Sequence, residues 1–195
     1  MLILTATTTT VESLPHPSRK RVGFLVTDQF EDLAVKVPFT ALSQADVDVV
    51  MVSDRANAQC SGLRGQLTLQ SDVTATDISA SDLDAVIIPG GRSPEQLRHN
   101  GDAVSLVRDA LHDGTVVAAV GKGTQLLPEP DQLAGRQTTG HPSVRRQVNN
   151  AGGVYVDRPV VVEDNLLTAR RLSDIPMFTV MLCDCLDIPG SSSRP

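Results

Sequence analysis

Three thiols and two glycine turns after apolar strands carry most of the chemistry that this 195-residue chain can offer. The thiolate form of cysteine is both a nucleophile and a metal ligand, so Cys60, Cys183 and Cys185 come first. Cys183 and Cys185 would lie about 200° apart around a helix, so they face different ways and cannot share a metal. They read as core and boundary residues. Cys60 stands in an irregular stretch with no histidine or glycine-rich elbow near it in sequence, and it is not read as a nucleophile. An odd number of thiols also fits no secreted disulfide framework. Neither a metal nor a cofactor is called for. TVVAAVGKGTQLL (115–127) has the form on which many α/β proteins place a reactive group, a buried strand running straight into small residues and a helical pattern. Here that place holds Gly121 and Lys122, and glycine supplies no nucleophile.

Such turns need a sheet to hold them. From Lys20 onward, short β-branched runs alternate with helical periodicity. That predicts an α/β three-layer sandwich, a mainly parallel central sheet with helices on both faces. RVGFLV (21–26) and VDVVMVS (47–53) read as the first two buried strands, joined by a helix that Pro38 should bend. The stretch 58–84 reads as a hairpin and loop with QLTLQ (66–70) as its clear strand, and DAVIIPGG (84–91) as a central strand ending in a tight glycine turn. Asp102 is expected to cap a helix that carries Val104, Val107 and Leu111 at core spacing and closes at Gly114. Pro142 should start a further helix ending at Gly152–Gly153. VVVEDNLLTAR (160–170) reads as a hairpin around Asp164–Asn165, and 173–187 as a closing helix.

The composition, 41% apolar and 21% charged, is that of a soluble globular chain. One domain over residues 20–187 is expected, with an N-terminal arm or extra strand at 1–19 and a tail at 188–195 whose GSSSRP end should fray. A net charge of -6 and a pI near 5.1 leave no basic stripe for nucleic acid or anionic lipid. Small molecules or other protein chains are the expected partners. The N-terminus lacks the basic start and apolar run of a signal peptide, and the chain is read as cytoplasmic.

Five blocks carry a resemblance. QFEDLAVKVPFTAL (29–42), VIIPGGRSPEQLRHN (86–100), VVAAVGKGTQLL (116–127), GRQTTGHPSVRRQVNNAGGVYVD (135–157) and VVVEDNLLTARRLSD (160–174) resemble, in order and spacing, the signature blocks of the PfpI-like branch of the DJ-1/PfpI (ThiJ/PfpI) superfamily. The resemblance implies a fold like that of class I glutamine amidotransferases, related to flavodoxin. It also implies a Cys-His pair at the elbow and a carboxylate four residues before the helix proline. Those places hold Gly121, Lys122 and Ala34. Family chemistry needs the thiolate, so glyoxalase, deglycase or peptidase activity is not expected. Gly121 either relieves a strained backbone or opens room for a ligand, and the two readings are compatible. Ala34 reads as a packing residue beside Leu33 and Val37.

By the same resemblance, the backbone N–H groups of Gly91 and Lys122 converge as an oxyanion hole does, at a helix N-terminus suited to an anion. His141 stands twenty residues beyond the elbow, where the family often has a pocket tyrosine. Glu95 matches a position that reaches a neighbouring subunit, or else is a solvated first-turn glutamate. Arg92 reads as a structural ion-pair partner. The ligand-binding set is therefore Gly91, Gly121, Lys122, His141 and Glu95. The leading expectation is a protein that binds a small anionic metabolite as a homodimer or larger assembly. The alternative is a non-covalent enzyme that uses His141 and Lys122 as acid, base or electrostatic groups on a small carbonyl or carboxylate compound.

Overall fold

Short runs of valine, isoleucine and alanine, buried along most or all of their length, build the centre of the protein. The computed structural model describes residues 2–4, 19–127 and 133–188, the first three by backbone alone. The tail expected to fray at 190–195 lies outside the described residues. The first elements are β1 (Leu2–Leu4), β2 (Arg21–Leu25), α1 (Asp32–Gln44), β3 (Asp48–Ser53), β4 (Gln59–Ser61), β5 (Leu67–Gln70), β6 (Val73–Thr74) and β7 (Ala85–Ile88). Then come α2 (Ser93–Leu97), α3 (Gly101–Asp113), β8 (Val116–Val120), β9 (Gln137–Thr138), α4 (Arg145–Asn150), β10 (Val154–Tyr155), β11 (Val160–Glu163), β12 (Leu166–Ala169) and α5 (Ile175–Cys185).

Seven strands form the main sheet in the order β11-β12-β8-β7-β2-β3-β6. Every neighbouring pair is parallel except the hairpin of β11 and β12. Successive side chains point to opposite faces, so each strand feeds two cores. Phe24, Ile87 and Ala118 pack on one face with Val35, Phe178 and Leu182 of α1 and α5. Leu25, Val86 and Ala119 pack on the other with Val107 and Leu111 of α3. This is the expected three-layer sandwich, and covering both faces is why β7 is buried at every position.

The stretch 58–84 holds the expected hairpin, β4 antiparallel to β5, with β1 alongside β5 in parallel. β6 was not expected, and it extends the main sheet beyond β3. The hairpin at 160–170 turns at Asp164 with φ 52°. Three expectations need correction. The cap of α3 is Asn100, which is still extended and accepts from the Ala103 N–H at 2.9 Å. Asp102 lies inside the first turn and instead accepts from Thr76 Oγ1. Leu33 turns outward at 37% exposure while its neighbour Ala34 is fully buried. Directly after β8 the described residues form a 3-10 turn, Gly121–Leu126, where an α-helix was expected.

Candidate functional site

β7 and β8 are parallel neighbours, so the turns at their carboxyl ends lie side by side. A Cβ on Gly90 would stand 2.8 Å from the Val120 carbonyl oxygen, and one on Gly123 would stand 2.3 Å from that of Ile88. Bare backbone is what lets the two turns touch. Gly121 has φ 58°, the left-handed value expected at the elbow, and a Cβ there would meet nothing nearer than the Arg170 carbonyl at 3.8 Å. The geometry thus agrees with both readings of Gly121, relief of strain and vacated space. Its carbonyl accepts from the His141 N–H at 3.1 Å and from Thr124 Oγ1 at 3.0 Å.

The PGG turn is pinned from its other side. Arg92 N–H donates to the Gln29 carbonyl at 2.8 Å, and Glu31 N–H donates to that of Gly90 at 3.1 Å. Gly91 lies between these bonds with φ 84°. Its N–H and that of Lys122 find no acceptor among the described residues. Both residues line one cavity of about 280 Å³, close to the lower size of small-molecule sites.

That cavity is electropositive in an acidic protein. Arg92, Lys122, Arg170 and Arg171 line it, against one carboxylate, Glu31. Arg170 is held by Asp157 at 2.7 Å and Asp174 at 3.5 Å, and its guanidinium draws the Asp157 carboxyl below the usual range. Arg171 reaches Asp174 at 3.8 Å. Lys122 and Arg92 have no ion-pair partner among the described residues. For Arg92 this corrects the expected structural pair. It precedes the short α2 with an exposed side chain, and no carboxylate among the described residues comes within ion-pair reach.

His141 lines the cavity with the extended backbone (φ -55°, ψ 138°) that the following proline favours. Its Nδ1 accepts from the Ser143 N–H at 3.2 Å and lies 2.8 Å from Ser143 Oγ. A neutral ring in that role keeps its proton on Nε2. In that tautomer the ring's remaining donor is its Nε2–H. Tyr155 braces the same loop by donating to the Gly140 carbonyl at 2.8 Å.

Other expected features fall elsewhere. Glu95 is exposed on α2 and outside the cavity, so one chain does not bring it to the site. The six residues Gly121–Leu126 end at an extended Leu127 before Pro128. A residue before proline is driven out of helical backbone, so no macrodipole backs the elbow and the attraction rests on N–H groups and side-chain cations. Ala34 is a packing residue, as expected. Cys60 is 1% exposed beside Ser53 Oγ, and burial pushes its thiol up; burial raises Cys183 and Cys185 as well. Glu31 was not singled out from sequence. Its signal was the FED of QFEDLAV, where counting back from Pro38 led to Ala34 instead.

The sequence model of the DJ-1/PfpI family matches residues 20–184. A putative cysteine protease, YraA of Bacillus subtilis, is 36% identical over 159 residues, which is 82% of this chain and 94% of that protein. Protein/nucleic acid deglycase 2 of Escherichia coli is 32% identical over 160 residues, covering 82% and 93%. A solved two-domain protein of Anabaena variabilis, with DJ-1/ThiJ/PfpI-like and ferritin-like domains, superposes with a TM-score of 0.84 at 38% identity. That match covers 91% of this chain and 52% of the two-domain protein. No helix among the described residues is long and apolar enough to cross a membrane.

Proposed function

Because the chain belongs to the DJ-1/PfpI family and carries glycine at the elbow, we propose that it binds a small anionic metabolite in this cavity without covalent catalysis. One observation carries the reading. Among the described residues, the Gly91 and Lys122 N–H groups find no acceptor and the Arg92 and Lys122 side chains no ion-pair partner, and these three residues line one cavity. Unmet donors beside unmet cations are the makings of an anion site. In this reading the protein works as a homodimer or larger assembly, with the exposed Glu95 free to meet a neighbouring protomer. The protease and deglycase names belong to the relatives, and a thiol route does not come with them.

Calorimetric titration with small carboxylates and phosphates tests the reading. The protein should bind at least one of them, and Lys122→Ala should weaken it about tenfold to a hundredfold, the loss of a charge-assisted contact. Absence of binding, or equal binding by Lys122→Ala, sinks the proposal. A second expectation concerns Gly121→Cys. The open space beside Gly121 accepts a side chain, so the variant should fold and gain a thiol that alkylates under native conditions, unlike the three buried or half-buried native ones. It should still show no glyoxalase, deglycase or peptidase turnover, because position 34 supplies no carboxylate and position 122 no imidazole. Turnover at family level would mean that these partners are dispensable.

A further inference from the structure

We infer that the ligand of this cavity carries a hydroxyl group beside its anionic end, and that Glu31 is the residue that selects it. The inference rests on reading the cavity as an anion site. Its own basis is an oxygen atom. The Glu31 side chain is 8% exposed, and its Oε1 accepts from Arg64 Nε at 2.9 Å. Its Oε2 receives no donor among the described residues, although Glu31 lines the cavity. Buried acceptors are nearly always bonded, and one left bare costs desolvation energy with nothing in return.

The backbone of Glu31 is held on both sides. Its N–H donates to the Gly90 carbonyl at 3.1 Å, and its own carbonyl accepts from the Ala34 N–H at 3.1 Å. The backbone of Glu31 passes so near Gly91 that a Cβ on the glycine would lie 2.7 Å from the Glu31 nitrogen. Glu31 lines the same cavity as Gly91 and Lys122, so an anion held on their N–H groups shares that space with a carboxylate. A bare anion would be repelled there. A ligand that places a donor between its own charge and Oε2 converts that repulsion into a hydrogen bond.

The donor is a hydroxyl and not an ammonium. Arg64 already occupies Oε1, and Arg92 and Lys122 line the same cavity with no ion-pair partner among the described residues. A further cation would meet all three. A hydroxyl brings a proton for Oε2, adds no charge, and offers its oxygen to the neighbouring cations. A volume near 280 Å³ suits a compound of a few carbons.

Matched pairs test this on the intact protein. Butyrate, 3-hydroxybutyrate and 3-aminobutyrate are compared by calorimetry, and propyl phosphate is compared with glycerol 3-phosphate; the two series show which anionic group is taken. The hydroxylated member should bind about tenfold to a hundredfold more tightly than its parent, the range for a hydrogen bond to a charged acceptor. In Glu31→Met, which keeps length and removes both acceptors, that preference should vanish. Equal affinity within each pair on the unmodified protein overturns the inference and leaves the anion site standing. So does tighter binding of the amino compound, or a preference that persists in Glu31→Met. If no anion binds at all, the anion site falls and this inference with it.

Discussion

Asp32→Ala is expected to destabilise the protein by about 3–5 kcal/mol, a loss at the upper end for a single substitution. Asp32 opens α1 and is 1% exposed. Its Oδ2 accepts from the Arg64 N–H at 2.8 Å, and its Oδ1 accepts from the N–H groups of Gln66 and Leu67, both at 2.9 Å. One carboxylate thus closes the whole turn between β4 and β5. Gly62 makes the wrap possible, since a Cβ there would lie 2.2 Å from Oδ1. Removing the carboxylate orphans three backbone donors, and hydrogen bonds to a charged group are worth about 1.5–3 kcal/mol each without being additive. The same turn delivers Arg64 to Glu31 and Leu63 to the cavity, so ligand binding should fall as well. Urea denaturation measures the first effect. Asp32→Asn, which keeps one acceptor oxygen, should fall between wild type and Asp32→Ala. A loss below about 1 kcal/mol for Asp32→Ala, the size of an ordinary substitution, would show that water serves those donors equally well.

Much of this architecture was legible because local chemistry and the fold agree. The β-branched run of VVAAV can only be a strand buried on both faces, and Gly114 and Asp164 sit at left-handed positions where glycine and aspartate are tolerated. The errors have physical sources. Asn100 and Asp102 are both good caps, and which one serves depends on where the backbone leaves the extended region. Proline at position 128 held the clue that the elbow helix stops short, but several helices here contain or begin near proline and continue, as α1 does through Pro38. Glu31 and Arg92 were hidden for a different reason. Glu31 meets Arg64 across thirty-three positions of chain, and Arg92 is defined by a partner it lacks. The FED of QFEDLAV marks where Glu31 stands, but neither the Arg64 contact nor the lack of a partner for Arg92 can be read from neighbouring residues. The cavity's character therefore rests on long-range contacts, while its position, at the ends of β7 and β8, was readable from two glycine turns.

Those two turns also separate a glycine whose Cβ would strike backbone from a glycine whose Cβ would find open space. Gly91→Ala is expected to cost about 3 kcal/mol or more, and Gly121→Ala only about 1–2 kcal/mol, the ordinary charge for a left-handed side-chain residue. Both positions have positive φ, 84° and 58°, so backbone preference alone predicts similar losses. The surroundings differ. A Cβ on Gly91 would stand 2.3 Å from the Gln29 carbonyl oxygen, 2.7 Å from the Glu31 nitrogen and 2.8 Å from the Phe30 carbonyl carbon. All three are backbone atoms, tied to the same turn by the Arg92-to-Gln29 and Glu31-to-Gly90 bonds, so relief requires breaking those bonds. At Gly121 the nearest atom is 3.8 Å away. Denaturation midpoints of the two variants, measured side by side, give the comparison. Gly91→Ala should also abolish anion binding, because its N–H is displaced with the turn. Gly121→Ala should keep the fold and lose affinity only as far as the methyl group occupies ligand space. Equal and large losses in both variants would mean that the elbow has no room for a side chain.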